Sequence, residues 1–171
     1  LKAELVIYEY FEKDSSDIQF NNFYQLGKKL KKLHEITPSK KIKTFENQFN
    51  VYLNVSLPEL GNKYFKGAVD LFNELNVNKE KHVLCHNDLD SSNVMFKNNK
   101  IVFIDFEYLS TNSKYSDLSK LIDSLNLKKL EKDKLFKGYG IDEIDESINV
   151  KIKKWSLMNI YTELIWVNYI N

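Results

Sequence analysis

The pattern of apolar and polar positions divides the chain into helical stretches that flank a short β-rich segment. Apolar residues recur every three or four positions over residues 23–33, which predicts an amphipathic helix that ends before Pro38. Similar spacing over residues 45–75, interrupted at Pro58 and Gly61, predicts two or three further helices. The first half of the chain is therefore expected to be mainly helical.

Short apolar runs of strand length occur at residues 5–8, 82–85, 94–96 and 101–104. The last two flank a turn at residues 97–100, which predicts a hairpin in which Val94 faces Phe103. Helical spacing returns over residues 115–125 and 148–170, with a charged segment at 128–134 between them. The pattern as a whole predicts a single α+β domain over residues 1–171, mostly helical, with a small β-hairpin.

The composition fits a folded domain and excludes several classes of function. With 171 residues, 43% of them hydrophobic, the chain is able to bury a substantial core. Its 25 basic and 24 acidic residues nearly cancel, which argues against a general affinity for nucleic acid. No apolar run has the length of a membrane helix, so no membrane insertion is expected. The lone Cys85 cannot form an internal disulfide, which favours the cytoplasm.

Polar residues at the open end of the predicted hairpin form the candidate chemical site. The hairpin register places Asn93 opposite Ile104, one residue from Asp105. Oxygen ligands at one end of a rigid ribbon suit Mg²⁺, which also relies on waters and substrate phosphates. Asp88, in the loop before Asn93, lies within reach of an incoming hydroxyl and is the natural catalytic base. Any of these residues alone is commonly a turn former, and only their combination favours the site.

Two motifs carry a resemblance to a known family. His-x-Asp-(x)4-Asn at residues 86–93 and Ile-Asp-Phe-Glu-Tyr at residues 104–108 resemble the catalytic motifs of the choline and ethanolamine kinase family. That family belongs to a kinase-like group that includes aminoglycoside phosphotransferases. The match extends to Asn112 and Asp117, and more weakly to Leu33-His34 in the leading helix.

The resemblance implies roles for residues of the motifs. Asp88 matches the family's catalytic base, and Asn93 and Asp105 match its Mg²⁺ ligands. Glu107 resembles an acidic residue that assists the metal or the catalytic loop. The implied cofactors are ATP and Mg²⁺, and the implied acceptor is a small amino alcohol.

The resemblance also implies structural roles and an arrangement of segments. His86 and Asp117 are expected to support the catalytic loop rather than to react. The chain resembles the C-terminal lobe of a kinase-like fold, and its segments are expected to be an inter-lobe segment (1–12), the catalytic loop, hairpin and metal motif (82–117) and a helical substrate-side region (118–171). The N-terminal ATP lobe, with its phosphate-covering loop and lysine, is expected to be absent from this chain, so this chain alone is expected to be a poor kinase.

The acceptor pocket departs from the family pattern. The family carries two Trp residues three positions apart on a late helix, where they enclose a quaternary ammonium. Here Trp166 matches the second, Glu163 stands at the first, and Tyr169 lies one turn further on; Tyr108 completes the predicted substrate-binding set. Glu163 favours a primary amine such as ethanolamine. The competing interpretation is that these aromatic residues, with Trp155 and Tyr161, only pack the last helix.

The sequence therefore predicts an ATP- and Mg²⁺-dependent phosphotransferase acting on choline or a related amino alcohol. Ethanolamine, thiamine and aminoglycosides are alternative acceptors within the same chemistry. A non-catalytic binding module is the alternative from another class, should the N-terminal lobe be naturally absent. A metal-dependent hydrolase is disfavoured because such sites usually need more ligands than three histidines and these carboxylates provide. The oligomeric state is not predicted.

Overall fold

The computed structural model describes residues 22–56, 62–77, 81–97 and 100–170. The helices within these ranges are α1 (Asn22–His34), α2 (Phe45–Ser56), α3 (Asn62–Val77), α4 (Lys114–Ser124), α5 (Lys129–Tyr139) and α6 (Glu146–Ile170). The strands are β1 (Val83–Cys85), β2 (Val94–Lys97), β3 (Lys100–Phe103) and β4 (Ser110–Asn112). The predicted α+β class with dominant helices is confirmed. The predicted opening strand at residues 5–8 and the inter-lobe segment at 1–12 lie outside the described residues.

The predicted hairpin has the predicted register. Strands β2 and β3 pair antiparallel, with Val94 opposite Phe103 and Phe96 opposite Ile101. All four of these side chains are buried against the helices. Burial of one face fixes the register, because a slip by one residue would turn the apolar set towards solvent.

The second strand pair was not predicted. Strand β1 pairs antiparallel with β4, which places Val83 opposite Asn112 and Cys85 opposite Ser110. Strand β4 has the sequence Ser-Thr-Asn and shows no apolar pattern, yet Ser110 and Asn112 are buried. This pair holds the start of the predicted catalytic loop, residues 86–93, beside the start of α4.

Helix α5 forms where the sequence showed only a charged segment. Its first turn is capped by the Glu131 carboxylate, whose Oε2 accepts from the backbone N–H of Lys128 at 2.6 Å. Its end is set by Gly140, which adopts the left-handed conformation at φ +92°. Between these caps Leu135, Phe136 and Tyr139 are buried. Local capping and one short apolar face therefore stabilise a helix that is otherwise rich in lysine.

Helices α1 and α5 cross at glycines. A Cβ atom on Gly27 would lie 2.1 Å from the backbone oxygen of Leu135, and one on Gly138 would lie 2.0 Å from that of Tyr24. Only residues without a side chain permit this approach. The crossing brings the C-terminal end of α1 beside Tyr139, where His34 Nδ1 and the Tyr139 hydroxyl are 2.8 Å apart.

An aromatic cluster joins α2, α3 and α6. The rings of Phe49 and Phe72 have centroids 4.7 Å apart, and Phe45 meets Trp155 edge-on at 5.8 Å. All four residues are buried. Such pairs add to the free energy of burial and fix how the helices pack.

Within the described ranges, no helix combines the length and apolarity that crossing a membrane requires.

Candidate active site

The buried carboxylate of Asp117 holds the start of the catalytic loop. It accepts hydrogen bonds from the backbone N–H groups of His86 and Asn87 at 2.9 and 2.8 Å. Its third contact is with His34 Nε2 at 3.0 Å. Asp117 is fully buried, so each of these bonds replaces water. The contacts are those expected of a residue that supports the loop.

His86 is packed and hydrogen-bonded on both ring nitrogens. Nε2 lies 2.8 Å from the backbone oxygen of Ile104, and Nδ1 accepts from the backbone N–H of Asp88 at 3.3 Å. The ring is completely buried and lies 4.6 Å from that of Phe106. Because both nitrogens are engaged within the protein, His86 has no free nitrogen to offer a substrate. Its surroundings fit a loop anchor.

Asn87 ties the loop to β4, a role that the sequence did not indicate. Its backbone is left-handed at φ +66°. Its Nδ2 donates to Tyr108 O at 2.9 Å and to Ser110 Oγ at 2.8 Å, and its Oδ1 accepts from Asn112 Nδ2 at 2.8 Å. Asparagine tolerates this backbone conformation better than most residues, which is the local signal that was available.

Asp88 is oriented from two sides. Asn93 Nδ2 donates to its Oδ2 at 3.0 Å and to its backbone oxygen at 2.8 Å, and Lys120 Nζ lies 3.7 Å from its Oδ1. Burial raises the pKa of the Asp88 carboxyl above its usual range, and the charges of Asp90 and Glu163 act in the same direction. Lys120 opposes this rise in pKa. The carboxylate is thus partly enclosed and held in one orientation.

Asp90 forms the turn that follows Asp88. Its Oδ1 accepts from Ser92 N and Ser92 Oγ, both at 2.6 Å, and from Asn93 N at 3.2 Å. Although burial opposes it, these hydrogen bonds hold the pKa of Asp90 below its usual range. The turn places Asn93 at the entrance of β2.

The hairpin continues one step beyond its strands. The backbone N–H of Ile104 donates to Asn93 O at 3.1 Å, so Asp105 follows directly at the same end of the ribbon. Asn93 is buried, whereas Asp105 is exposed and left-handed at φ +64°. An aspartate in this region of backbone space is uncommon and marks a place where the fold imposes a direction on the chain.

A cavity of about 350 Å³ opens in front of Asp88. Its described walls come from the catalytic loop, the second motif, α2, α4 and α6. Four carboxylates and one ammonium line it: Asp88, Asp90, Glu107, Glu163 and Lys120. The described lining is therefore strongly negative.

Three of the four predicted substrate-binding residues line this cavity. Tyr108 and Trp166 meet with ring centroids 6.0 Å apart and planes at 89°, and Glu163 lies one turn before Trp166 on α6. Burial raises the pKa of the Tyr108 hydroxyl well above its usual range. The hydrogen bond between Tyr108 and Glu107 and the negative charge of Glu107 raise this pKa further. The cavity therefore has an aromatic corner beside two acids.

Tyr169 stands apart from the other three. It is not among the described residues that line the cavity, and its ring packs 5.2 Å from that of Tyr52, which does line it. Tyr169 thus lies behind Tyr52 and supports the cavity wall from outside. The role of Trp155 matches the packing interpretation, since it is buried in the aromatic cluster.

Lys120 is the most informative residue that the sequence did not single out. It pairs with Glu163 and faces Asp88. A lysine on an amphipathic helix usually lies in solvent, so the helical pattern gave no signal. Only the packing of α4 on α6 places it inside the cavity.

A buried cluster of His34, Cys85 and Asp117 has potential ligand atoms within 4.8 Å of one another. Its members already have protein partners: His34 contacts Asp117, and Cys85 Sγ donates to Ser113 O at 3.4 Å. Burial raises the pKa of the Cys85 thiol well above its usual range, which disfavours the thiolate that a metal requires. The cluster is therefore a part of the core.

Comparison with known proteins identifies the family. A sequence model described as choline/ethanolamine kinase matches residues 12–127, more than half of the chain. The protein LicA homolog of Metamycoplasma hominis is 35% identical over 68% of this chain and 48% of its own length. The protein LicA homolog of Mycoplasma capricolum subsp. capricolum is 25% identical over 95% of this chain and 66% of its own length.

The fold agrees with these matches. The crystal structure of choline kinase LicA from Streptococcus pneumoniae superposes with a TM-score of 0.72 over 88% of this chain and 56% of that one, at 17% identity. This likeness shows a kinase-like C-terminal lobe. The chain spans between about half and two thirds of the length of the curated relatives that it matches. The match of the family model to more than half of the chain shows that the chain belongs to the choline/ethanolamine kinase family.

Proposed function

We propose that this chain carries the catalytic loop and acceptor site of an ATP- and Mg²⁺-dependent phosphotransferase that phosphorylates the hydroxyl of choline or a related amino alcohol. The observation that carries the proposal is the shared cavity of Asp88, Glu163, Tyr108 and Trp166. A hydroxyl beside Asp88 and a cation beside the aromatic corner are the two ends of an amino alcohol. The activity proposed is that of the full-length protein.

Asp88 is the catalytic base in this proposal. Phosphoryl transfer passes through a loose transition state, so the protein mainly positions the alcohol and accepts its proton. Asn93 orients the Asp88 carboxylate through its Oδ2, and Lys120 faces the other oxygen. The raised pKa of Asp88 makes it a better proton acceptor than an aspartate in water.

Asn93 and Asp105 are the residues proposed to hold Mg²⁺, with Glu107 assisting. Asn93 directs its Nδ2 at Asp88, which leaves Oδ1 as the atom it can offer a cation. Asp105 follows at the same end of the hairpin with an exposed carboxylate. Amide and carboxylate oxygens are the donors that Mg²⁺ prefers, so the donor set fits. When bound, Mg²⁺ supplies charge neutralisation on the phosphates of ATP.

The charge of the cavity supports a cationic acceptor. Two aromatic rings at a right angle, those of Tyr108 and Trp166, offer faces to a quaternary ammonium. Glu163 offers in addition a hydrogen-bond acceptor, which a primary ammonium is able to use and a trimethylammonium is not. Ethanolamine is accordingly the first alternative to choline.

An aminoglycoside is the second candidate acceptor. Four of the described residues lining the cavity are acids, more than one ammonium group needs. A molecule with several ammonium groups would neutralise them better than choline does. Thiamine has no comparable feature in its favour.

The buried Cys85, which has no disulfide partner, and the proposed use of ATP both support the cytoplasm as the proposed compartment.

The full-length protein tests this proposal. Steady-state assays of ADP release with choline, ethanolamine, thiamine and an aminoglycoside rank the acceptors, with and without Mg²⁺. Asp88→Asn should lower kcat by about three orders of magnitude while nucleotide affinity stays unchanged, because the base acts in the chemical step. Asp123→Asn, at an exposed position on α4, is the matched control. Near-normal turnover by Asp88→Asn overturns the proposal, and inactivity of the wild type towards every acceptor favours a binding module.

A further inference from the structure

Lys120 is the sole cationic side chain among the described residues that line the acceptor cavity. Its ammonium pairs with Glu163 and lies 3.7 Å from Asp88 Oδ1. The lysine side chain is 16% exposed and that of Glu163 is 57% exposed, so the lysine is held by the protein while the glutamate faces the cavity and solvent. A positive group of the protein therefore already occupies the place where a cationic acceptor would seek a carboxylate.

The packing of α4 on α6 imposes this pairing. Asn159 Nδ2 donates to Ser116 O and Ser119 Oγ, both at 3.1 Å, and Asn159 Oδ1 accepts from Ser116 Oγ at 3.2 Å. Lys120 lies about one turn after Ser116 on α4, and Glu163 lies about one turn after Asn159 on α6. The two charges thus meet because their helices are tied together next to them.

We propose that Lys120 is a specificity-determining residue that competes with the cation of the acceptor for Glu163. The inference rests on the proposed function, since it concerns the acceptor cavity of that reaction. A cation that binds beside Trp166 attracts Glu163 away from Lys120, and the loss of the existing pair offsets part of the attraction. A neutral alcohol of the same shape leaves the pair intact. Lys120 therefore weakens the binding of cationic acceptors selectively.

Removal of Lys120 is expected to lower turnover although it strengthens binding, because Lys120 also contacts Asp88. Asp88 Oδ2 accepts from Asn93, and Oδ1 faces Lys120, so each oxygen of the base has a partner. Without the lysine, Oδ1 loses its partner and the carboxylate is less firmly oriented. Lys120→Met is thus expected to lower both KM and kcat for choline. General damage to the fold would lower kcat without lowering KM.

Calorimetry on the full chain tests the competition directly. The ligands are choline and 3,3-dimethylbutan-1-ol, a neutral alcohol of the same shape. Lys120→Met should bind choline roughly tenfold more tightly than the wild type, because the cation of choline no longer has to displace a partly buried ammonium from Glu163. Binding of the neutral alcohol should be unchanged. The control Lys154→Met breaks the ion pair with Glu74 on an outer surface and should alter neither affinity.

A double-mutant cycle separates competition from simple repulsion. If Lys120 acts by occupying Glu163, the tightening caused by Lys120→Met disappears in a Glu163→Gln background. Tightening that persists there overturns the proposal, as does unchanged or weaker choline binding by Lys120→Met alone. Lys120→Gln keeps a polar side chain of similar length and replaces Lys120→Met should the latter fail to fold.

The assay also distinguishes this inference from the proposed function. If the full-length wild type phosphorylates choline but Lys120→Met has the same KM, only the inference about Lys120 fails. If the wild type neither binds nor phosphorylates a cationic alcohol, the proposed function fails, and the inference fails with it.

Discussion

Asn93 Nδ2 lies 3.0 Å from Asp88 Oδ2 and 2.8 Å from the backbone oxygen of the same residue. A single amide thereby orients the carboxylate of the proposed base and closes the loop on which that base stands. The same side chain has its Oδ1 left for a cation. The proposed metal site and the proposed base therefore depend on one residue at the entrance of β2.

Asn93→Ala is expected to lower kcat of the full-length protein by about two orders of magnitude, because it removes a proposed metal ligand and the orientation of the proposed base together. Steady-state kinetics at several Mg²⁺ concentrations measure the effect, and the concentration for half-maximal rate should rise. Asn149→Ala, at an exposed position on α6, is the control. An unchanged dependence on Mg²⁺ would contradict the role of Asn93 as a ligand.

Substitution of the two tryptophans of α6 should affect different properties: ligand binding for Trp166 and stability for Trp155. Trp166 lines the cavity, so Trp166→Leu should weaken choline binding by about tenfold with little loss of stability. Trp155 is buried against Phe45, so Trp155→Ala should lower the free energy of unfolding by about 3–5 kcal/mol. Calorimetric titration and urea unfolding measure the two effects. If Trp166→Leu binds choline as tightly as the wild type does, Trp166 contributes only to packing and not to choline binding.

Asp117→Ala should lower the free energy of unfolding by about 3 kcal/mol or more, since it leaves buried donors of His86, Asn87 and His34 without an acceptor. Urea unfolding followed by circular dichroism provides the value. Asp123→Ala, at an exposed position on the same helix, should change stability by less than about 0.5 kcal/mol. A similar small change in Asp117→Ala would show that the loop does not depend on this carboxylate.

The features that local pattern determines were predictable from the sequence. The register of the β2–β3 hairpin follows from apolar residues and a short turn, and the structure has that register. Helix α1 follows from its apolar spacing in the same way. Asp88 and Asn93 were found because a motif sets their spacing, and the Asn93 side-chain amide, which donates to Asp88, keeps them together.

The features that depend on tertiary packing were not predictable. Strand β4 is three polar residues long, and its burial results from pairing with β1, which lies 25 residues or more away along the chain. Lys120 has the appearance of a solvated helix residue until α6 packs on α4. The position of Tyr169 behind Tyr52 likewise depends on how α2 meets α6. No local periodicity records such contacts.

Gly27→Ala should destabilise the fold by about 2–3 kcal/mol, because the new methyl group meets the backbone of α5, which cannot move aside alone. Gly67→Ala is the matched control, since its methyl group meets only the hydroxyl end of Tyr161. Alanine also has a higher helix propensity than glycine. Urea unfolding of both variants gives the comparison. Similar stabilities of the two variants would show that α1 and α5 separate without cost.

Helix α6 serves two regions along its length. Trp155 and Met158 are buried in the core, and Glu163 and Trp166 form a wall of the cavity. Ile165, which lies between Glu163 and Trp166, is buried in the core, whereas the loop that carries Asp88 takes its support from Asp117 on α4. In the proposed reaction, exchanging the cavity-facing residues of this one helix should therefore change which alcohol is accepted more than it changes the transfer of phosphate.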